Sequence, residues 1–387
     1  MRHGHLLLLA GTALFASLAQ ADPGWRYVIT DIQVVDLGTM GGRESAAHDV
    51  NDHGEIVGWP DTRSGEHHAF LRRKGAMEDI TPFEGYTADA NGINNLTQVV
   101  GSLRHFIWPS QRGFHWHEGS AVNLLDDAYT EKLDLEYCAS AAHARAINDS
   151  GVIAGSRIGG CSPPVAFIWR AARWESWSAP FEEIVPLGHA PKHNSANNIN
   201  SVGTIVGRNK DVGIGTGALR WRPGLPGGGV PLPSVPAPAR PSDTPMKAYG
   251  VNDGDAIVGS LTLFNPVSGE YTERAYYWNG ISPESVLLPM AASDDVDSAA
   301  IEINNEGFSV GWGDNGDRWA VVWHGHIGAR SLPMAPGKVR FCEALAVNNR
   351  GSTGLVQAVG YCVVGGDRHA VLWNITTKKA TIPTDSP

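Results

Sequence analysis

The chain has 387 residues, of which 46 are glycine, and a formal net charge of −10. Glycine usually makes up about 7% of a protein, and it costs about 1 kcal/mol relative to alanine inside a helix, so a mostly helical protein is disfavoured. The acidic balance argues against a nucleic-acid-binding protein, because such proteins need clustered lysine and arginine.

The first 21 residues have the pattern of a secretory signal peptide. A short basic start is followed by an apolar run from Leu6 to Leu18 and by Ala19-Gln20-Ala21, a small-x-small cleavage pattern. The apolar run is too short to cross a bilayer comfortably, so no membrane span is predicted. A buried N-terminal helix is the alternative. We expect cleavage after Ala21 and a secreted or periplasmic mature protein.

One sequence unit recurs seven times after this leader. Ala47–Gly58 (AHDVNDHGEIVG) sets the pattern, and its copies begin at Ala90, Ala144, Ala196, Ala248, Ala300 and Ala344. A second segment, such as AFIW at Ala166–Trp169, ends in tryptophan in six of the seven copies. A third apolar patch closes most units. Every copy has an asparagine at the same position, at Asn51, Asn94, Asn148, Asn200, Asn252, Asn304 and Asn348.

These segments are short, apolar or alternating, and bounded by turn residues, as strands are. Each unit therefore predicts four antiparallel strands. The repeated units predict an all-β protein, a single β-propeller domain over 22–387 with seven four-stranded blades. Six or eight blades and a parallel β-helix are the alternatives. The predicted repeats cover about 43–86, 87–140, 141–192, 193–245, 246–297, 298–341 and 342–387.

Residues 27–42 come before the first complete unit and are predicted to form a closing strand. In a closed ring this strand would complete the last blade and join the two ends of the chain. The C-terminal segment Lys378–Thr384 (KKATIPT) competes for the same place. The sequence leaves open which segment is outermost and whether both pair.

The repeated asparagine has the setting of a turn residue. Glycine follows three residues later in five of the seven copies, and asparagine first with glycine fourth is a type I turn preference. The asparagine side chain can accept from the backbone N–H two residues on. We therefore interpret these asparagines as structural and not as catalytic or metal-binding residues. The recurrent tryptophan is likewise expected to pack between blades.

The four cysteines are placed symmetrically about two of these turns. Cys138 lies 10 residues before Asn148, and Cys161 lies 10 after Gly151. Cys342 and Cys362 are also symmetric once a five-residue insertion is subtracted. Because residues equidistant from a hairpin turn face each other, the pairs Cys138–Cys161 and Cys342–Cys362 are predicted. A zinc site is the alternative, although the C-x-x-C spacing is missing.

Together these motifs resemble the HAF-repeat family of extracellular repeat proteins. The matching parts are the A-x-x-I-N-x-x-G-x-V-V-G segments, the A-F-L-W segments and DLGTMGG at Asp36–Gly42. The resemblance extends from residue 31 to about residue 383. It implies an exported repeat protein, implies no established reaction and supplies no catalytic residues.

A binding site is expected on the face that carries the variable connections. In up-down blades the link from the second to the third strand and the link to the next unit lie on the same face, and both vary in length here. Variable loops on a rigid scaffold often carry function. A proline-rich run, Pro223–Pro245, belongs to this face, and a solvated linker is its simpler interpretation.

The candidate binding residues on that face are of two kinds. Trp59 and Trp312 follow the closing glycine of their units and are expected to be exposed, each with an aspartate two residues on, at Asp61 and Asp314. An aromatic ring with a carboxylate suits sugar recognition. The second kind is arginine, for which ordinary surface charge is the alternative, at Arg104, Arg157 and Arg208.

The sequence predicts no catalytic residue, no metal site and no cofactor. The pairs His115/His117 and His324/His326 belong to separate units, and calcium at Asp314–Asp317 is the open alternative. We predict a monomeric, exported binding module that recognises a surface glycan or protein through the variable-loop face. A propeller-fold glycan hydrolase or lyase is the alternative function, with candidate carboxylates at Asp294, Asp295 and Asp297.

Overall fold

The computed structural model describes residues 25–105, 111–124, 141–158, 165–170, 181–183, 194–209, 217–222, 229–235, 245–264, 269–351 and 354–381. These residues form strands and turns, and none of them belongs to a helix long and apolar enough to cross a membrane. The predicted leader and the pair Cys138–Cys161 lie outside the described residues.

The strands are numbered in chain order. The first thirteen are β1 (Trp25–Gly38), β2 (Gly41–Val50), β3 (Ile56–Thr62), β4 (Phe70–Arg73), β5 (Ala76–Asp79), β6 (Tyr86–Ile93), β7 (Val99–His105), β8 (Gln111–His117), β9 (Ser120–Asn123), β10 (Ala141–Ile147), β11 (Val152–Ile158), β12 (Val165–Arg170) and β13 (Phe181–Glu183).

The remaining strands follow the same alternation of short segments and turns. They are β14 (Asn194–Ile199), β15 (Ile205–Asn209), β16 (Gly217–Trp221), β17 (Val230–Pro231), β18 (Met246–Val251), β19 (Ile257–Phe264), β20 (Tyr271–Trp278), β21 (Val286–Leu287), β22 (Asp297–Ile303), β23 (Phe308–Asp314), β24 (Arg318–His324), β25 (Gly328–Ser331), β26 (Val339–Val347), β27 (Val356–Val364) and β28 (Asp367–Thr381).

The described strands form seven four-stranded antiparallel sheets, and the predicted all-β propeller is confirmed. The first six blades each use four consecutive strands, from β2–β5 through to β22–β25. The seventh blade has the order β26, β27, β28 and then β1, so the N-terminal strand is its outermost strand.

Both ends of the chain take part in this seventh blade. β1 runs antiparallel along β28, with Trp25 opposite Thr381 and Gly38 opposite Ala370. Lys378 and its neighbours belong to the end of β28, so the two segments that compete in the sequence pair with each other. β1 covers 25–38, whereas residues 41 and 42 already belong to β2.

The tryptophans whose side chains the structure describes at the ends of third strands, Trp116, Trp221, Trp278, Trp323 and Trp373, pack in buried clusters, and the prediction of packing between blades is confirmed for Trp116 and Trp373. Trp116 of the second blade lies in a buried cluster with Val57 and Leu71 of the first. Trp373 of the seventh blade packs with Val322 of the sixth. These side chains bury large apolar areas, so they stabilise the contact between blades.

The disulfide Cys342–Cys362 is confirmed and staples the seventh blade. The two cysteines lie opposite each other on β26 and β27, with 4.1 Å between their Cα atoms. Subtracting the insertion after Asn348 was therefore the correct way to align the two strands. The pair Cys138–Cys161 stays a prediction.

Candidate functional site

The repeated asparagines lie at the turns from the first to the second strand of each blade. In the sixth blade, Asn304 Oδ1 accepts from the N–H groups of Glu306 at 3.0 Å and Phe308 at 2.9 Å. The backbone N–H of Gly307 donates to the Asn304 carbonyl, which is the hydrogen bond of a β-turn. The side chain therefore holds the turn through backbone donors.

The same asparagine also joins its blade to the next one, which the sequence analysis missed. Asn304 Nδ2 donates to the backbone carbonyl of Asn348 at 2.9 Å, and Asn348 Nδ2 donates to that of Asn51 at 3.0 Å. The remaining links of this ring run through Asn51, Asn94, Asn148, Asn200 and Asn252. All seven blades are thus tied in a closed ring around the central channel.

Five of the residues at the fourth turn position are glycines, and the other two are Thr97 and Asp255. The glycines Gly54, Gly151, Gly203 and Gly307 have positive φ, and Thr97 and Asp255 also have positive φ, at 58° and 61°. This left-handed conformation favours glycine. The seventh blade differs because of its insertion. The Asn348 N–H donates to the carbonyl of Gln357, nine residues on, whereas the Asn51 N–H donates to that of Glu55, four residues on.

Every innermost strand carries a β-bulge three residues before the asparagine. In the first blade Ala47 pairs with Gly58 and Asp49 pairs with Val57, so His48 is the extra residue. The same register shift occurs in the other six blades. Bulges change the direction of a side chain, and here the extra residues face the channel, as His48, Asn91, Arg145, Asn197, Tyr249, Ile301 and Leu345.

The closing glycine of each unit lies opposite this bulge. A Cβ atom on Gly311 would lie 1.9 Å from the carbonyl oxygen of Ala299, and a Cβ on Gly58 would lie 2.0 Å from that of Ala46. The other closing glycines have equally close backbone contacts. The second strand therefore needs glycine here because the bulged strand leaves no room for a side chain.

The channel encloses a cavity of about 620 Å³ along the axis of the ring. Its wall includes the turn asparagines at one end and Asp89, Gln111 and His143 toward the other. Gln111 begins a third strand, and His143 lies near the start of a first strand, so this second end is the variable-connection face. Its polar wall can bind hydroxyl, amide or charged groups of a ligand.

Two carboxylates lie deep in this channel, at the position next to the bulge. Asp49 accepts from the N–H groups of Val50 and Ile93, both at 2.8 Å. Glu302 Oε2 accepts from Asn198 Nδ2 at 2.7 Å, which connects the fourth and sixth blades. These three polar residues occupy the same repeat position, which is glycine or alanine in the other four blades.

Burial changes the acidity of this pair. It raises the pKa of Asp49 to about 7, against the hydrogen bonds from Ile93 and Val50. Burial first, and then the charge of Asp49, raise the pKa of Glu302 well above its ordinary value. Both carboxylates thus hold protons more tightly than exposed carboxylates do, because the charged forms are poorly solvated in the channel.

The predicted exposure of Trp59 and Trp312 is wrong. Trp59 is 6% exposed, and the His67 ring stacks on it with 4.3 Å between the ring centroids. Trp312 is 8% exposed, and the Arg318 guanidinium lies 3.9 Å from the centroid of its ring. A side chain that comes after the next turn covers each ring: His67 lies just before β4, and Arg318 begins β24. The position of the tryptophan in the sequence does not indicate that such a side chain will cover it.

The aspartates predicted beside these rings are engaged in the same contacts. Asp61 Oδ1 lies 3.2 Å from His67 Nε2, and Asp314 Oδ2 lies 3.2 Å from Arg318 Nε. Asp314 also accepts from the Gly316 N–H. In the described part of the chain, no group of three or more His, Cys, Asp or Glu residues is arranged to hold a metal ion.

The predicted arginines are only partly brought together. Arg104 lies at the exposed end of β7, and Arg208 lies on β15, where it pairs with Ser195. Arg157 belongs to β11, and its side chain lies outside the description. Arg145, which the sequence analysis did not single out, lines the channel cavity and lies close enough to Arg208 to lower its own pKa.

The chain matches no protein-family model and no curated protein. Its fold is similar to the β-propeller domain of the Trilobed protease from Pyrococcus furiosus, with a TM-score of 0.51 at 11% identity, over 89% of this chain and 98% of that one. It is also similar to YCF48 bound to D1 peptide, with a TM-score of 0.51 at 12% identity, over 91% and 98%.

A third similar structure is an acylaminoacyl peptidase in complex with Z-Gly-Gly-Phe-chloromethyl ketone. The TM-score is 0.50 at 13% identity, over 87% of this chain but only 52% of the peptidase. At these identities the similarity establishes the β-propeller fold alone.

Proposed function

We propose that the protein is an exported binding module of the HAF-repeat type that takes a glycan at the channel mouth on the variable-connection face. The observation that carries the proposal is the wall formed by the bulge residues. Five consecutive blades present a polar side chain there, whereas the sixth and seventh present Ile301 and Leu345. A wall with one polar and one apolar side suits a sugar ring, which has hydroxyl edges and apolar faces.

Tyr249 supports the same assignment. It is a partly buried aromatic residue of the channel wall and lies in the blade next to the apolar side. Asn197, one blade earlier, and Asn91 supply amide groups near the same wall. An aromatic face with an amide in the neighbouring blade can stack on a sugar and bind its hydroxyl groups.

A glycan panel presented to the mature protein tests this proposal. We expect at least one glycan to bind and the variant Tyr249→Ala to weaken its binding about tenfold, since a good aromatic contact is worth about 1 kcal/mol or more. Tyr271→Ala is the matched control, because Tyr271 is 69% exposed and lies outside the channel. If no glycan binds, or if both variants bind equally well, the proposal is wrong.

A peptide is the competing ligand class for the same mouth. YCF48, which shares the fold, is described as bound to D1 peptide. A peptide library screened beside the glycan panel separates the two classes. Binding of peptides without any glycan would replace the glycan assignment.

The glycan hydrolase or lyase is the second candidate function, and the raised pKa values of Asp49 and Glu302 favour it. A carboxyl group that keeps its proton near neutral pH can act as a general acid. If the protein is such an enzyme, a bound glycan is cleaved and Asp49→Asn stops cleavage while binding persists. A glycan that binds and is recovered intact supports the binding module.

A further inference from the structure

Three arginines and a histidine from three adjacent blades lie at one side of the channel mouth. Arg104 belongs to the second blade, His143 and Arg145 to the third, and Arg208 to the fourth. His143 and Arg145 line the cavity. Burial lowers the pKa of His143, as do the charges of Arg145 and Arg104, and Arg208 acts in the same way on Arg145. Arg104 and Arg145 therefore lie within electrostatic reach of His143, and Arg208 lies within reach of Arg145, while the lowered pKa of His143 leaves its imidazole mainly neutral near pH 7.

The arginines of this cluster have no counter-ion in the described part of the chain. Elsewhere, Arg350 pairs with Glu306 at 2.8 Å and Arg73 pairs with Glu78 at 2.8 Å. Arg104, Arg145 and Arg208 make no ion pair with any described carboxylate. Asp89 is the acidic group that faces the cluster, and its charge raises the pKa of His143.

Arg145 also differs from three of the other bulge residues, His48, Asn91 and Asn197, whose side chains bond to a backbone carbonyl of the next blade. Asn91, one blade before, donates to the carbonyl of Ala144 at 2.8 Å, and Asn197, one blade after, donates to that of Ala248 at 2.7 Å. Arg145 makes no such bond to the next blade within the described residues. Its side chain is exposed to the cavity, where its guanidinium can meet a ligand.

We infer that Arg104, His143, Arg145 and Arg208 form an anion-binding subsite, and that the ligand is an acidic glycan bearing carboxylate or sulfate groups. This inference rests on the proposed glycan-binding function and names its ligand class. Guanidinium groups bind carboxylate and sulfate oxygens through paired hydrogen bonds. A cleft lined by one sign of charge concentrates ligands of the opposite sign, here in a protein whose net charge is −10.

Neighbouring polar groups favour a glycan over an acidic peptide. Ser102 Oγ lies 3.4 Å from His143 Nδ1 and accepts from Asn91 Nδ2 at 3.1 Å, so hydroxyl and amide groups lie directly beside the cluster. Such groups exchange hydrogen bonds with sugar hydroxyls. The subsite thus combines donors for an anion with partners for the hydroxyl groups of the same sugar.

The test measures binding of the mature protein to four polymers. Polygalacturonate carries carboxylates, dextran sulfate carries sulfates, unmodified dextran is neutral, and polyglutamate is an acidic peptide. We expect Arg145→Gln and Arg208→Gln each to weaken binding of the acidic glycan by about tenfold, as loss of a charged hydrogen bond does. Arg340→Gln is the matched control, since Arg340 is exposed and unpaired among the described residues. Thermal melting confirms that each variant is folded.

The outcomes separate the subsite from the function on which it rests. Stronger binding of polygalacturonate or dextran sulfate than of dextran, lost in the two variants and weakened by salt, supports the inference and identifies the anion. Equal binding of dextran, dextran sulfate and polygalacturonate overturns the acidic ligand but leaves glycan binding intact. Binding of polyglutamate alone overturns the glycan assignment. Binding of none of the four overturns the acidic-glycan subsite, and the glycan panel then decides the proposed function separately.

Discussion

The side-chain amide of Asn348 donates to the backbone carbonyl of Asn51, which lies 297 residues earlier in the chain. This single bond closes the ring of asparagines, because each of the others reaches only the following blade. A residue that the sequence presents as a local turn former is therefore also the contact that holds neighbouring blades in register around the channel.

Removing one ring asparagine should destabilise the whole propeller. In Asn304→Ala, two backbone N–H groups lose their acceptor and the Asn348 carbonyl loses a donor. We expect a loss on the order of 3 kcal/mol, since unpaired buried groups each cost about 1 kcal/mol or more. Urea denaturation measures it.

Two further variants assign this loss to its cause. Asn304→Asp keeps the acceptor but places a second oxygen against the Asn348 carbonyl, so it should also lose stability, and the loss should grow as the pH rises and the buried carboxylate becomes charged. Asn279→Ala changes an exposed turn asparagine and should cost about 1 kcal/mol or less. Equal stability of Asn304→Ala and the wild type would show that the ring does not contribute.

The glycine opposite each bulge should not tolerate a methyl group. In Gly311→Ala the added Cβ would lie 1.9 Å from the Ala299 carbonyl oxygen, and backbone atoms cannot move aside easily. We expect a loss of more than about 3 kcal/mol, or failure to fold. Gly328→Ala in the same blade is the control, because it meets no atom within 4 Å and should change stability by less than about 0.5 kcal/mol. Similar melting temperatures for the two variants would contradict the bulge geometry.

The disulfide of the seventh blade should stabilise the fold measurably. Cys342 and Cys362 are 20 residues apart, and the chain-entropy model gives about 3 kcal/mol for a loop of this size. We expect the double variant Cys342→Ser/Cys362→Ser to lose about that amount in urea denaturation. A non-reducing peptide map checks the pairing itself and also tests Cys138–Cys161. A peptide that joins Cys138 to Cys342 is the result that would refute both pairs.

The channel carboxylates should make stability fall as the pH rises from about 4 to about 7. Asp49 has a pKa of about 7 in the folded protein against 3.8 for an unperturbed side chain. Between these values the folded state holds more protons than the unfolded state, so stability decreases with pH, by at most about 1.4 kcal/mol per pH unit for each such group. The penalty from Asp49 is complete once the pH has risen well beyond 7, where its carboxyl is fully ionised in both states.

The variant Asp49→Asn tests this explanation through the slope of the free energy of unfolding against pH. Asp49→Asn cannot titrate, so the decrease of stability between pH 4 and 7 should be shallower than in the wild type. The absolute stability of Asp49→Asn also changes for a second reason. The amide group of the new asparagine places a donor against the N–H of Val50 or Ile93, where the carboxylate had an acceptor. Asp31→Asn is a control at a surface carboxylate and should leave the slope unchanged. An unaltered slope in Asp49→Asn would refute the buried-charge explanation.

The fold could be predicted because its signals are local. Each unit shows four short strands, and the turn at Asn304 and Gly307 follows from residues next to each other. The bond from Asn304 to Asn348 was missed because its partner lies 44 residues away. One signal was nevertheless present: aspartate or serine also accepts at such turns, and the strict use of asparagine indicates that a donor is needed as well.

The site was harder to predict than the fold. Trp59 is buried because the His67 ring, which follows the next turn, stacks on it. The position of Trp59 on its own strand does not determine where that ring lies. Arg145 was missed because a bulge, which breaks the alternation of a strand, decides which residue faces the channel. The alanine four residues before each asparagine, followed by two variable residues, was the available sign of that bulge.

The pairing of β1 with β28 sets an order of events for the making of the protein. A ribosome produces Trp25–Gly38 before every other strand of the propeller and Asp367–Thr381 after all of them, so β1 has no partner until the other strands have been synthesised. Six blades can form on the growing chain, but the ring cannot close. Any chain truncated before its last strand would therefore leave an unpaired edge at its own beginning, which is a template for aggregation.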